Sequence, residues 1–173
     1  MDPARGRYLN YTRRNTPLKV WVFDDPPRLE ISHPISYINR AHSDGFMTDN
    51  IKERTILIVD DEKPFRDLVR YELGQEGYSS ILEAEDGEEA INLLAEKHVD
   101  LILLDLRMPK LAGEDVLRFV RGNHPKISVI VMTGQTENTV KQKILGLGAD
   151  AYLVKPYDST ELLESICGIL EKK

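Results

Sequence analysis

The order of apolar runs in this sequence predicts an α/β fold, a doubly wound five-stranded parallel sheet behind an irregular N-terminal extension. Three observations carry that expectation. From Thr55 onward, short runs rich in Ile, Leu and Val alternate with segments whose apolar residues recur at helical spacing. The runs show little polar alternation, as expected of strands buried on both faces. The alternation continues to the C-terminal end, so successive strands lie parallel and right-handed crossovers place helices on both faces of the sheet.

Each element has its own signal. Ile56-Leu57-Ile58-Val59 reads as the first buried strand. Pro64 suits the first turn of the next helix, Leu68, Val69 and Leu73 supply its apolar stripe, and Gly77 ends it. Ile81 and Leu82 with Ala84 form a weaker strand, Gly87 marks the turn after it, and Ala90, Ile91, Leu93 and Leu94 give a helical face. Leu101 to Leu104 is the third strand, and Val116, Leu117 and Val120 lie on the helix that follows. Val129-Ile130-Val131-Met132 is the fourth strand, and its helix carries Val140, Ile144 and Leu147. Ala151 to Val154 is the last. Asp158 and Glu161 then open the final helix as an acidic variant of the capping box, with Leu162, Leu163, Ile166, Ile169 and Leu170 as its core face.

Composition narrows the function. The 173 residues suffice for one ordinary domain and an appendage, divided here as an extension over 1–50 and a domain over 51–173. The formal charge of -6 is unevenly spread, with residues 1–46 at +2 and residues 47–173 at -8. An acidic domain argues against nonspecific nucleic-acid binding, which draws its affinity from basic charge. No apolar run is long enough for a membrane span and no signal peptide is evident, so a cytoplasmic location is expected. Cys167 is the only cysteine and reads as a packing residue of the last helix. The extension carries five of the nine prolines and little periodicity. Residues 18–23, Leu-Lys-Val-Trp-Val-Phe, read as a single strand with no partner to bury its faces, and the rest as disordered or loosely docked. Met47 is a second candidate start for the native protein.

The chemistry lies where the strands end. Asp60-Asp61, Asp105, Thr133 and Lys155 each follow an apolar run, and in a doubly wound sheet ligands bind outside the carboxyl ends of the strands. A carboxylate at the exit of a buried strand is costly unless its charge is used. Three acids at one edge repel one another, and a divalent cation resolves that conflict. Hard oxygen ligands suit Mg²⁺. The rival for Asp60-Asp61 is a plain helix cap before Pro64. A hydroxyl at Thr133 can donate to a phosphoryl oxygen, and the Lys155 ammonium can neutralise developing charge.

With these residues in place, residues 52–173 resemble the receiver domain of two-component response regulators, a flavodoxin-like (βα)5 fold of the chemotaxis-regulator kind. The resemblance rests on Ile56-Leu57-Ile58-Val59-Asp60-Asp61, on Asp105-Leu106-Arg107-Met108-Pro109 with Gly113, and on Met132-Thr133-Gly134. The last signature is Gly148-Ala149-Asp150-Ala151-Tyr152-Leu153-Val154-Lys155-Pro156. It implies that Asp105 is the phosphoacceptor and that Mg²⁺ is held by Asp60, Asp61, Asp105 and the Arg107 backbone carbonyl. It further implies that Lys155 pairs with the phosphoryl group before a cis Pro156, and that Thr133 and Tyr152 form the switch. Arg107 and Gln135 fall where such domains tune phosphoryl lifetime.

The function so implied is a signalling receiver. It takes a phosphoryl group from a sensor histidine kinase or phosphotransfer protein and passes the signal to a downstream protein. It catalyses only its own phosphotransfer and dephosphorylation. A homodimer through the face of the fourth and fifth helices is left open. Because Lys173 comes just after the last helix, a stand-alone receiver is the expectation. Two rivals are weaker. Phosphatases with a strand-end aspartate nucleophile usually place a second Asp two residues on, where this chain has Arg107. A phosphorylation-independent adaptor of the same fold would be favoured by loss of Asp61, Asp105 or Lys155, and all three are present.

Overall fold

The computed structural model describes residues 6–13, 16–23 and 51–172. In the extension, β1 (Gly6–Arg13) pairs antiparallel with β2 (Thr16–Phe23), Gly6 opposite Phe23 and Arg13 opposite Thr16. The strand read over residues 18–23 therefore has a partner, which the sequence reading did not give it. The first strand carries a weak signal because Arg7, Asn10 and Arg13 interrupt its Tyr, Leu and Thr, and because Arg14-Asn15 lacks the Asn-Gly type of hairpin signal. Residues 24–50 lie outside the described residues, and with them the expectations of disorder and of a start at Met47.

Residues 51–172 hold the expected alternation: β3 (Ile56–Val59), α1 (Lys63–Gln75), β4 (Ile81–Ala84), α2 (Gly87–Glu96), β5 (Leu101–Leu104) and α3 (Gly113–Asn123). β6 (Ser128–Thr133), α4 (Asn138–Gly146), β7 (Ala151–Val154) and α5 (Ser159–Leu170) complete it. The five strands are parallel in the order β4-β3-β5-β6-β7. The order reverses between β3 and β5, which opens a crevice at their carboxyl ends.

The continuous apolar runs follow from burial on two sides. Leu57, Val59, Ile102, Leu104, Val129 and Val131 pack with residues of α2, α3 and α4. Ile56, Ile58, Leu101, Leu103, Ile130 and Met132 alternate with them and pack with residues of α1 and α5. Every residue of β3, β5 and β6 is buried, so polarity is pushed to the strand ends.

The caps largely follow the local sequence. Pro64 sits in the first turn of α1, and Gly77 supplies the left-handed residue after it, at φ 89°. The Asp158 carboxylate caps α5 by accepting from the Thr160 amide at 2.8 Å. One stripe needs correction. Leu68 is 38% exposed, while Arg66, Val69 and Leu73 form the buried face of α1. The Cys167 sulfur lies 3.6 Å from the Tyr78 hydroxyl, in keeping with a packing role. Among the described residues, no helix is long and apolar enough to cross a membrane.

Candidate functional site

The parallel ladder runs one residue past the strands and so fixes the site's floor. Asp60 donates its amide to the Ala84 carbonyl at 3.1 Å, Asp105 to Val59 at 2.9 Å and Lys155 to Thr133 at 2.8 Å. Asp60 and Asp105 thereby flank the crevice at the reversal of strand order. Asp60, Asp105 and Thr133 are buried, at 0%, 1% and 0% exposure.

Lys155 enters from the far edge strand, with its side chain only 5% exposed. Its ammonium donates to Asp60 Oδ2 and lies 3.8 Å from Asp105 Oδ2. Burial pushes the Asp60 carboxyl above the usual range. The Lys155 charge and hydrogen bond oppose that shift, and Asp105 reinforces it. The remaining atoms of the acids are oriented by backbone. Asp60 Oδ1 accepts from the Glu62 amide at 2.9 Å, and Asp105 Oδ1 accepts from the Leu106 amide at 2.8 Å. The helix-cap reading of Asp60-Asp61 does not hold, because Glu62 is the N-cap of α1 and no side chain caps it.

Asp60, Asp61 and Glu62 bring carboxylate oxygens within 4.8 Å of one another. This hard-oxygen set suits Mg²⁺. Asp60 and Asp61 were expected in it; Glu62 was not, although the sequence places a third acid directly after them. Asp105 stands outside this trio, linked to Asp60 through Lys155.

The backbone of Gln135 joins the two residues expected to switch. Its amide donates to Thr133 Oγ1 at 3.4 Å, and its carbonyl accepts from the Tyr152 hydroxyl at 2.9 Å. Tyr152 is therefore turned inward, 7% exposed, and burial pushes the pKa of its hydroxyl up, with Glu137 adding to the effect. Arg107 is exposed and reaches over the loop after β6. A Cβ added to Gly134 would lie 3.9 Å from its guanidinium.

Several contributors were not legible as site residues. Arg66 is buried on α1 and donates to the Asp60 carbonyl at 2.7 Å and to Glu83 at 3.2 Å, tying helix to sheet beneath the acids. Phe65 lies under the Lys155 ammonium, 3.6 Å from ring centroid to nitrogen. Lys110, at φ 60°, pairs with Asp86, the N-cap of α2, and so joins the loops after β4 and β5. Gly113 could be placed from sequence, and the structure gives the reason: an added Cβ would sit 2.0 Å from the Asp105 carbonyl oxygen. The Lys155-Pro156 bond is cis.

The family model of the response regulator receiver domain matches residues 56–167. Among solved structures, a CheY-like receiver domain protein from Methanospirillum hungatei JF-1 is 30% identical. It covers 69% of this chain and 95% of its own, with a TM-score of 0.66. The signal receiver domain of a putative Luxo repressor protein from Vibrio parahaemolyticus is 29% identical, covering 69% and 92%, also at 0.66. The chemotaxis protein CheY4 of Vibrio cholerae is 28% identical, covering 68% and 98%, at 0.63.

Proposed function

The chain belongs to the response regulator receiver family of two-component signalling, and from that premise we propose that Asp105 accepts the phosphoryl group and that Tyr152 reports it. The observation that carries this reading is the Lys155 ammonium, buried between Asp60 and Asp105 at the strand-order reversal.

In the proposed reaction, Asp105 attacks in line the phosphorus of a phosphohistidine on a kinase or phosphotransfer protein. A P–O bond to the carboxylate forms as the P–N bond breaks, and the imidazole leaves. Such transfer depends on positioning and charge stabilisation. Lys155 holds Asp60 before reaction and is near enough to Asp105 to neutralise a phosphoryl oxygen bound there. Thr133 Oγ1 can donate to another. Asp60, Asp61 and Asp105, with the Arg107 carbonyl, are the donors we assign to Mg²⁺, with Glu62 as a further carboxylate beside Asp60 and Asp61; the ion, when bound, would offset the negative charge of the phosphoryl oxygens. Water later cleaves the acyl phosphate, and Arg107 over the β6 loop limits its approach.

Signalling then follows from the Gln135 link. A Thr133 hydroxyl drawn toward the phosphoryl group releases the Gln135 amide, and the same peptide segment carries the acceptor of Tyr152. The phosphoryl group biases an existing equilibrium of this loop and ring. The output is a change in affinity for a protein partner at the surface of α4, β7 and α5, the same face on which we place any homodimer. We assign the domain no reaction on an external substrate beyond its own phosphotransfer and dephosphorylation, and we place its work in the cytoplasm.

The test is incubation with acetyl phosphate, with and without Mg²⁺, read by intact mass. A Mg²⁺-dependent phosphoryl adduct that is absent from Asp105→Asn is expected. An adduct that survives Asp105→Asn, or none from either acetyl phosphate or a phosphorylated kinase, defeats the proposal and favours the adaptor reading.

A further inference from the structure

We propose that Phe65 is a positioning residue for phosphoryl transfer: its ring, braced by Tyr157, holds the Lys155 ammonium where it can pass from Asp60 to a phosphoryl group on Asp105. The proposal rests on the reading of Asp105 as the phosphoacceptor.

Two segments meet at this cation, the first turn of α1 and the stretch between β7 and α5. Phe65 comes from the first turn of α1, Lys155 follows β7, and Tyr157 lies two residues further on. The Lys155 nitrogen is 3.6 Å from the Phe65 ring centroid, well within cation–π range. Phe65 and Tyr157 stand nearly perpendicular, at 87°, with centroids 5.9 Å apart. The Tyr157 hydroxyl is buried without a hydrogen-bond partner among the described residues, so packing fixes the ring that braces Phe65.

The chemistry of the contact suits the task. A lysine carries its charge on a flexible four-carbon stem, and its ammonium shifts easily between acceptors. Here Asp60 holds it by a hydrogen bond, while Asp105 Oδ2 is 3.8 Å away, beyond hydrogen-bond range. Productive transfer needs the ammonium to leave Asp60 without leaving the site. A hydrogen-bonding neighbour would pin it in one direction. The face of an aromatic ring attracts it electrostatically with little directional demand, so the nitrogen can pivot over Phe65 between the two carboxylates. An aliphatic side chain of similar volume would fill the space and supply no such attraction.

Phe65 also packs against the core on the α1 and α5 side, where a purely structural role would be met by any apolar side chain of similar size. Two aliphatic and two aromatic replacements in the full chain, Phe65→Leu, Phe65→Met, Phe65→Trp and Phe65→Tyr, separate the roles. In the unphosphorylated protein, the Lys155 ε-methylene protons should be shifted upfield by the ring current. That shift should vanish in the Leu and Met variants and persist in the Trp and Tyr variants. The rate of Mg²⁺-dependent phosphorylation by acetyl phosphate should fall about thirtyfold in Leu and Met, the scale of one desolvated cation–π contact, and recover in Trp and Tyr. Absence of the shift in wild type, aliphatic variants that react at the wild-type rate, or aromatic variants as slow as the aliphatic ones would each overturn the proposal while leaving Asp105 as acceptor. A wild-type protein that shows the shift but takes no phosphoryl group from acetyl phosphate or from a phosphorylated kinase overturns the Asp105 reading, and this proposal with it.

Discussion

Replacing Lys155 by Met tests the electrostatic account of the site through stability alone, before any phosphoryl group is present. The ammonium is buried against Asp60 and lies 3.8 Å from Asp105. At an effective dielectric near 20, the Asp105 separation alone corresponds to an attraction of about 4 kcal/mol before desolvation is counted. Losing one partner of a buried pair typically destabilises by about 3–5 kcal/mol, because the charge left behind has no compensation. Lys155→Met should therefore lower the unfolding free energy by about that amount at neutral pH in a chelating buffer, measured by urea titration. Asp60→Asn added to Lys155→Met should restore a large part of the loss.

The pH dependence has a definite sign. Burial holds the folded Asp60 carboxyl above its unfolded value of about 3.9, so between these values the native state binds more protons than the unfolded state. Stability contributed by protonating Asp60 is thus fully present below the unfolded value and is lost as pH rises through the folded one. Removing Lys155 removes the main opposing influence and extends that window upward. The deficit of Lys155→Met relative to wild type should shrink on acidification. A deficit below about 1 kcal/mol at neutral pH, or one that grows as pH falls, would refute the reasoning.

Other substitutions probe the supports of the site. Tyr152→Phe removes the hydroxyl that donates to Gln135 and should lower stability by about 1 kcal/mol in urea unfolding, while weakening the effect of phosphorylation on partner binding. Gly113→Ala places a methyl against the Asp105 carbonyl and should cost about 1–3 kcal/mol or more and slow phosphorylation. Its control within the same helix is Gly122→Ala, which meets nothing within 4 Å and should stabilise by about 0.8–1 kcal/mol.

Much of the fold was legible because burial on both sheet faces leaves uninterrupted apolar runs, and those of β3, β5 and β6 are fully buried. With all strands parallel, the residues just past each run had to meet at one edge of the sheet. Asp60, Asp105, Thr133 and Lys155 do. What escaped was set by contacts distant in sequence. Arg66 is buried because the Asp60 carbonyl and Glu83 receive it, and helical spacing alone gave that face to Leu68. Phe65 resembled any apolar residue at a helix start, and its partner stands ninety positions away at Lys155. Glu62 lay in plain view beside two acids, but its share in the oxygen cluster depends on the turn into α1.

The central claim is that one carboxylate of several at this edge carries the phosphoryl group. Borohydride reduction of the phosphorylated chain converts an aspartyl phosphate to homoserine, which peptide mass mapping then locates. The account requires homoserine at position 105 and at no other aspartate. Homoserine at 60 or 61, or its absence from a chain that has gained phosphate, would contradict it.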